Sequence, residues 1–153
     1  MENGKSFLFQ RNQSLVLPHF QVASLSQIDW MALKQAGFKG CVFDKDNTLT
    51  VPYALEIHPE VQEALRQCRI AFGDNVVLYS NSAGLTQYDP AGDEALMLEK
   101  SLGIQVLRHK DKKPAGGPED LQRHFRYAFV IMLSIRTSLR STIALYLYKI
   151  LYM

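Results

Sequence analysis

Cysteine is almost missing from this 153-residue chain. The two that occur, Cys41 and Cys68, are too few and too unpatterned for a disulfide scaffold or a zinc site, and their apolar neighbours predict buried free thiols. No stretch reaches the ~18–20 uninterrupted apolar residues of a spanning helix, because Arg136 and Arg140 break the most apolar region. The opening Met1-Glu2-Asn3-Gly4-Lys5 has neither the apolar core of a secretory signal nor the Arg- and Ser-rich pattern of a transit peptide. Neither sign of charge dominates: 17 Lys and Arg against 15 Asp and Glu give a formal +2, too little to imply a nucleic-acid partner. Internal repeats and low-complexity tracts are missing too. What remains is an ordinary globular composition, 47% hydrophobic and 21% charged, at a length suited to about one domain.

One absence is local. No acidic residue follows Asp120, whereas Arg126, Arg136, Arg140 and Lys149 do. This change of character predicts a domain over 1–125 and a divergent basic and apolar tail over 126–153. Tyr146, Leu147, Tyr148, Ile150, Leu151 and Tyr152 beside that positive charge suit an anionic membrane surface, and an unrelated spliced end explains them as well.

The remaining pattern alternates strands and helices. A short helix is predicted over 28–36, closed by Gly37, and a buried strand over 38–43 that ends abruptly at Asp44. His58-Pro59-Glu60 opens a helix in which Val61, Ala64, Leu65 and Cys68 repeat at helical spacing. A strand over 75–79 follows, then a helix over 93–102 stopped by Gly103, a strand over 104–107, and a helix from Glu119 toward Phe125. Continuous apolar strands suit a parallel sheet covered on both faces. Such doubly wound α/β sheets place their ligands at the carboxyl ends of the strands. Three polar clusters fall there: Asp44-Lys45-Asp46-Asn47-Thr48, Ser80-Asn81-Ser82 and Lys112-Lys113.

Two carboxylates one residue apart at the end of a buried strand repel each other, so a function that needs both is the better explanation. Asp44 at the strand end suits a nucleophile, and Asp46, on the same side, suits an acid and base. A divalent cation offsets the repulsion, and Mg²⁺ is suited by one carboxylate, a backbone carbonyl of this loop and several waters.

Phe43-Asp44-Lys45-Asp46-Asn47-Thr48-Leu49-Thr50 resembles the first motif of the haloacid dehalogenase (HAD) superfamily of phosphatases, Asp-x-Asp-x-Thr at a strand end. Ser80 resembles its second motif, and Lys113 before Pro114 its third. More narrowly, Tyr79-Ser80-Asn81-Ser82-Ala83-Gly84, the string from Gly103 to His109, Lys112-Lys113-Pro114 and Leu17-Pro18-His19 resemble the mitochondrial and plastid phosphatidylglycerophosphate phosphatase family. The resemblance covers roughly residues 14–125. It implies a HAD-like doubly wound parallel sheet with helices on both faces and a minimal cap, incomplete at its C-terminal end.

It further implies an Mg²⁺-dependent removal of the terminal phosphate from phosphatidylglycerophosphate, on the route to phosphatidylglycerol and cardiolipin. The implied setting is a membrane surface of a mitochondrion or plastid, with no protein partner expected. Asp44 would form an aspartyl-phosphate, Asp46 would act as acid and base, and Lys113 would neutralise charge. Ser80, helped by Asn81, would hydrogen-bond the phosphoryl group, Thr48 would brace the loop, and Asp44 and the carbonyl of Asp46 would hold Mg²⁺. His58 and His109 read as a helix-start and a loop residue without catalytic roles.

The superfamily's acidic fourth motif has no counterpart. A strand over 129–133 runs into Ser134-Ile135-Arg136-Thr137 without a carboxylate. Two alternatives therefore stand beside the lipid phosphatase: an impaired or inactive truncated family member, and the same chemistry on a small soluble phosphomonoester.

Overall fold

The short apolar runs pair side by side in the computed structural model, which describes residues 20–45, 48–51, 53–113, 115–126, 129–136 and 142–149. In chain order the elements are β1 (Phe20–Val22), a single 3-10 turn (Leu25–Gln27), α1 (Trp30–Gln35), β2 (Gly40–Phe43), α2 (Pro59–Phe72), β3 (Val76–Leu78), α3 (Asp93–Leu102), β4 (Gln105–Val106), α4 (Gly117–Phe125), β5 (Phe129–Arg136) and β6 (Thr142–Lys149). The helix starts follow local chemistry. Asp29 accepts the N–H of Ala32 at 2.9 Å to cap α1, and His58 accepts that of Glu60 at 3.3 Å with Pro59 in the first turn of α2. Gly103, in the left-handed region at φ +66°, closes α3 where the sequence places its stop.

The sheet runs β1-β6-β5-β2-β3-β4. The four strands β5, β2, β3 and β4 are parallel, with Cys41 beside Val76 and Phe43 beside Leu133. The chain steps outward from β2 to β3 to β4 and then returns to the far side of β2 as β5. That reversal opens a crevice at the carboxyl ends of β2 and β5, the place where open α/β sheets bind ligands. The expected doubly wound α/β sheet is thus present, with β5 as its fourth parallel strand.

Beyond β5 the sheet continues. β6 returns antiparallel to β5, as the short 137–141 connection requires, and β1 pairs antiparallel to β6. The domain boundary drawn after Phe125 therefore lies between elements of one sheet. The side chains of β5 and β6, and residues 127–128 and 150–153, lie outside the described residues, as does Leu17-Pro18-His19.

Strand alternation splits the buried residues between two faces. Cys41, Phe43, Val76 and Leu78 pack with Trp30 of α1, with Leu65, Cys68 and Phe72 of α2 and with Ala95 and Leu98 of α3. Val42, Val77, Tyr79 and Leu107 pack with Leu121 and Phe125 of α4 on the other side. Each large apolar side chain buried in this way contributes about 1.5–3 kcal/mol. Both cysteines are free and buried, as expected, and burial, with the neighbouring Cys68, pushes the Cys41 thiol well above its usual range. That thiol is a packing group, not a nucleophile.

Two contacts set the loop after β3. At Gly84, φ is +81° and an added Cβ would stand 2.3 Å from the Leu107 carbonyl oxygen, so only glycine lets this turn lie against the end of β4. Asp89, buried at 7% exposure, accepts the N–H groups of Gly84 (2.9 Å), Ala95 (3.0 Å) and Glu94 (3.1 Å), joining that turn to the first turn of α3. Burial pushes its carboxyl up, but the three N–H donors and the charge of Arg108 outweigh burial and hold it below the ordinary aspartate value.

Gly84→Ala is expected to lose roughly 2 kcal/mol or more of stability in urea unfolding, from overpacking against the Leu107 carbonyl and the positive φ. Asp89→Asn is expected to lose about 1–2 kcal/mol near neutral pH. Because the folded value of Asp89 is depressed, its contribution is complete above the unfolded value of about 3.9 and fades as pH falls below it. Melting curves of the two proteins should therefore converge on acidification below about pH 4, and a pH-independent gap would contradict this assignment.

Candidate active site

Asp44 is the first residue past β2, and Lys113 stands in the loop after β4, 69 positions later. Their side chains meet: Lys113 Nζ lies 2.8 Å from Asp44 Oδ1, with the lysine side chain 17% exposed and the carboxylate 30% exposed. The ammonium also donates to the Tyr79 carbonyl at the end of β3 and sits over the Tyr79 ring, 5.1 Å from its centroid. One cation thus gathers groups from three strand ends. A carboxylate faced by an ammonium yet open to solvent can meet an anionic phosphoryl group without a second uncompensated negative charge.

The lysine loop is clasped from its backbone. Asn81 Oδ1 accepts the Lys113 N–H at 2.7 Å, and its Nδ2 makes a long, 3.5 Å contact to the Lys113 carbonyl. Asn81, expected at the phosphoryl group, here holds the lysine in place. Ser80 is buried, and its Oγ accepts the Ser82 N–H at 3.2 Å and lies 3.0 Å from Ser82 Oγ. A hydroxyl that accepts from a backbone N–H still has a proton to donate, here to Ser82 Oγ or to a ligand in its place.

The motif loop after β2 folds back on one acceptor. The Lys45 carbonyl receives the N–H groups of Thr48 (3.3 Å), Leu49 (3.0 Å) and Thr50 (3.2 Å), and the Thr48 side chain is buried in this turn. Asp46 and Asn47, and Pro114 after the lysine, lie outside the described residues.

Three residues of this region have roles that the sequence does not signal. Tyr79 contributes a carbonyl to Lys113, which no side-chain pattern encodes. Its phenol donates to Asp120 Oδ2 at 2.9 Å, and burial, then Asp120, hold it protonated far above its usual range. His109 is buried between the β3 and β4 ends, and Asp89 reaches α3 from well before the helix start, where a capping residue would not be sought.

As a ligand for Mg²⁺, Asp44 has the right chemistry: a hard, partly exposed oxygen at an open strand end. Among the described residues no group of three or more His, Cys, Asp or Glu forms a closed metal cage. On the other side of Asp44, β5 holds Leu133 in register with Phe43, so Ser134-Ile135-Arg136 continues that strand where the acidic fourth motif would stand. Among the described residues, no helix is long and apolar enough to cross a membrane.

Comparison with known proteins places the chain in a family. A family model described as mitochondrial PGP phosphatase matches residues 4–135. The chain is 62% identical over 118 residues to phosphatidylglycerophosphate phosphatase 1, chloroplastic, of Chlamydomonas reinhardtii, covering 77% of this chain and 44% of that protein. It is 50% identical over 115 residues to phosphatidylglycerophosphate phosphatase 1, chloroplastic/mitochondrial, of Arabidopsis thaliana (75% and 33% covered). It is 32% identical over 113 residues to the probable phosphatidylglycerophosphatase, mitochondrial, of Schizosaccharomyces pombe (68% and 54%). The chain therefore spans between a third and somewhat over half of the length of these relatives. No solved structure matches it. With the motif residues meeting at the strand ends and the family model covering most of its length, this chain belongs to the mitochondrial PGP phosphatase family.

Proposed function

We infer that this chain is a phosphatidylglycerophosphate phosphatase that works through an aspartyl-phosphate on Asp44, in a mitochondrion or plastid, on a phospholipid presented at a membrane surface. The observation that carries this reading is the 2.8 Å contact of Lys113 with Asp44, assembled from strand ends whose sequence likeness to named phosphatases reaches 62% identity.

The chemistry divides among the chain's own residues. An Asp44 carboxylate oxygen attacks phosphorus in line, and the bond from phosphorus to the glycerol oxygen breaks. Asp46 gives its proton to that leaving oxygen and then takes one from the water that cleaves the acyl phosphate, which returns Asp44 and releases inorganic phosphate. Ser80 donates its hydroxyl proton to a phosphoryl oxygen, and Lys113 spreads positive charge over the nucleophile and the phosphoryl group. Asp44 and the Asp46 carbonyl would hold Mg²⁺, which would supply further positive charge for the phosphoryl group.

The stretch Ser134-Ile135-Arg136 favours a second reading, a family member with weakened metal affinity and reduced turnover, because no carboxylate stands at the end of β5 beside Asp44.

Phosphate release from phosphatidylglycerophosphate vesicles by the 153-residue chain is expected to need Mg²⁺, stop with EDTA and fall to background in Asp44→Asn, whose amide cannot form the acyl phosphate. Lys113→Ala is expected to lower kcat about 10²–10³-fold. Turnover that survives in Asp44→Asn would overturn the mechanism. Turnover seen only at high Mg²⁺ concentration would select the second reading, and preference for a soluble phosphomonoester would overturn the lipid assignment.

A further inference from the structure

His109 is 3% exposed, and its backbone is fixed on both sides: its N–H donates to the Gly84 carbonyl at 2.8 Å, and its carbonyl accepts from Thr86 N (3.0 Å) and Thr86 Oγ1 (3.1 Å). The imidazole packs edge-on against the Tyr79 ring, with centroids 4.5 Å apart and planes at 78°. Both ring nitrogens face backbone carbonyls. Nε2 lies 2.6 Å from the Ser80 oxygen and Nδ1 lies 2.8 Å from the Asp111 oxygen. A carbonyl oxygen only accepts, so each contact requires a ring N–H, and an imidazole has two only when both nitrogens carry a proton. With one proton, a bare nitrogen lone pair would face a buried carbonyl oxygen and leave both unsatisfied.

The titratable and charged groups next to this ring in space or in sequence come from three elements. Tyr79 follows β3, Asp120 of α4 binds the Tyr79 phenol, and Arg108, Lys110, Asp111 and Lys113 stand on the histidine's own loop. Its two partners, however, are carbonyls, one beside the phosphoryl-binding hydroxyl and the other two residues before the catalytic lysine.

We propose that His109 is a positioning residue that works with both ring nitrogens donating, tying the Ser80 carbonyl to the Asp111 carbonyl and so fixing Ser80 relative to the ammonium of Lys113. It rests on the reading of Ser80 and Lys113 as phosphoryl-handling groups. Asn81 clasps the same two loops through the Lys113 backbone, and His109 adds the second tie that stops the lysine loop from turning about the first.

Ring ¹⁵N NMR of the full chain, at the pH of the phosphatase assay, tests the bridge directly. Replacing His19, His58 and His124 by glutamine leaves His109 as the one imidazole to read. Two protected ring N–H protons are expected, and one N–H beside a bare nitrogen would overturn the proposal. The kinetic arm uses His109→Phe, which keeps the packing against Tyr79 and removes both donors, and His109→Gln, which restores one. His109→Phe is expected to lower kcat roughly ten- to hundredfold with KM within about twofold, and His109→Gln to recover part of the loss. An unchanged kcat, or a loss confined to KM, would overturn the positioning role. Should His109→Phe fail to fold, the ring spectrum still decides. Should the wild-type chain release no phosphate from phosphatidylglycerophosphate, the phosphatase reading falls while the spectrum still reports whether the bridge forms.

Discussion

The ammonium of Lys113 has to be held against the carboxylate of Asp44, and nearly every polar contact at this end of the sheet serves that requirement. A lysine side chain has four rotatable carbons and little inherent preference for one geometry. Here the Tyr79 carbonyl accepts one of its hydrogen bonds, the Tyr79 ring lies beneath it, and Asn81 grips the backbone from which it extends. Those partners are themselves fixed by the core. Tyr79 stands at the end of a strand buried on both faces, and its phenol is anchored to Asp120 of α4. Hydrophobic burial thus sets where the strand ends lie, and hydrogen bonds convert that placement into a defined cation and carboxylate pair.

The same logic explains how much of the molecule is legible in its residues. Runs such as Cys41-Val42-Phe43 and Val76-Val77-Leu78 betray parallel strands because both faces need apolar side chains, and the helix starts at Asp29 and His58 carry their own capping groups. Asp44, Ser80 and Lys113 stand out because polar residues at the ends of buried strands have no packing reason to be there. Asn81 was legible as a site residue but its partner was not, since a side chain bonded to a distant backbone leaves no local pattern. Tyr79 and His109 escape for the same reason: each acts through carbonyl groups that every residue possesses. β1 escapes for another, because a three-residue strand paired only with β6 has too few positions to display a period.

The region after Phe125 shows the limit of composition as a guide. Loss of acidic residues sets it apart in charge, yet β5 lies parallel beside β2, and the family likeness runs to residue 135. Strand pairing is satisfied by backbone groups, so a stretch of altered charge still joins the sheet. Chemistry is less tolerant than pairing. The end of β5 stands beside Asp44, and a strand that carries Ser134-Ile135-Arg136 there brings no carboxylate to share a cation. Fold and catalytic competence are therefore separable in this chain: the sheet needs only apolar strands, whereas the proposed cation would need specific oxygens in one place.

The central claim is that the carboxylate under Lys113 is the atom that takes the phosphoryl group. Rapid acid quenching of the chain during turnover of phosphatidylglycerophosphate labelled in its terminal phosphate tests this most directly, because an acyl phosphate survives acid and is cleaved by hydroxylamine. A hydroxylamine-labile label is expected on the peptide containing Asp44, and none is expected in Asp44→Asn. Phosphate release with no labelled protein, or a label on any other residue, would contradict it.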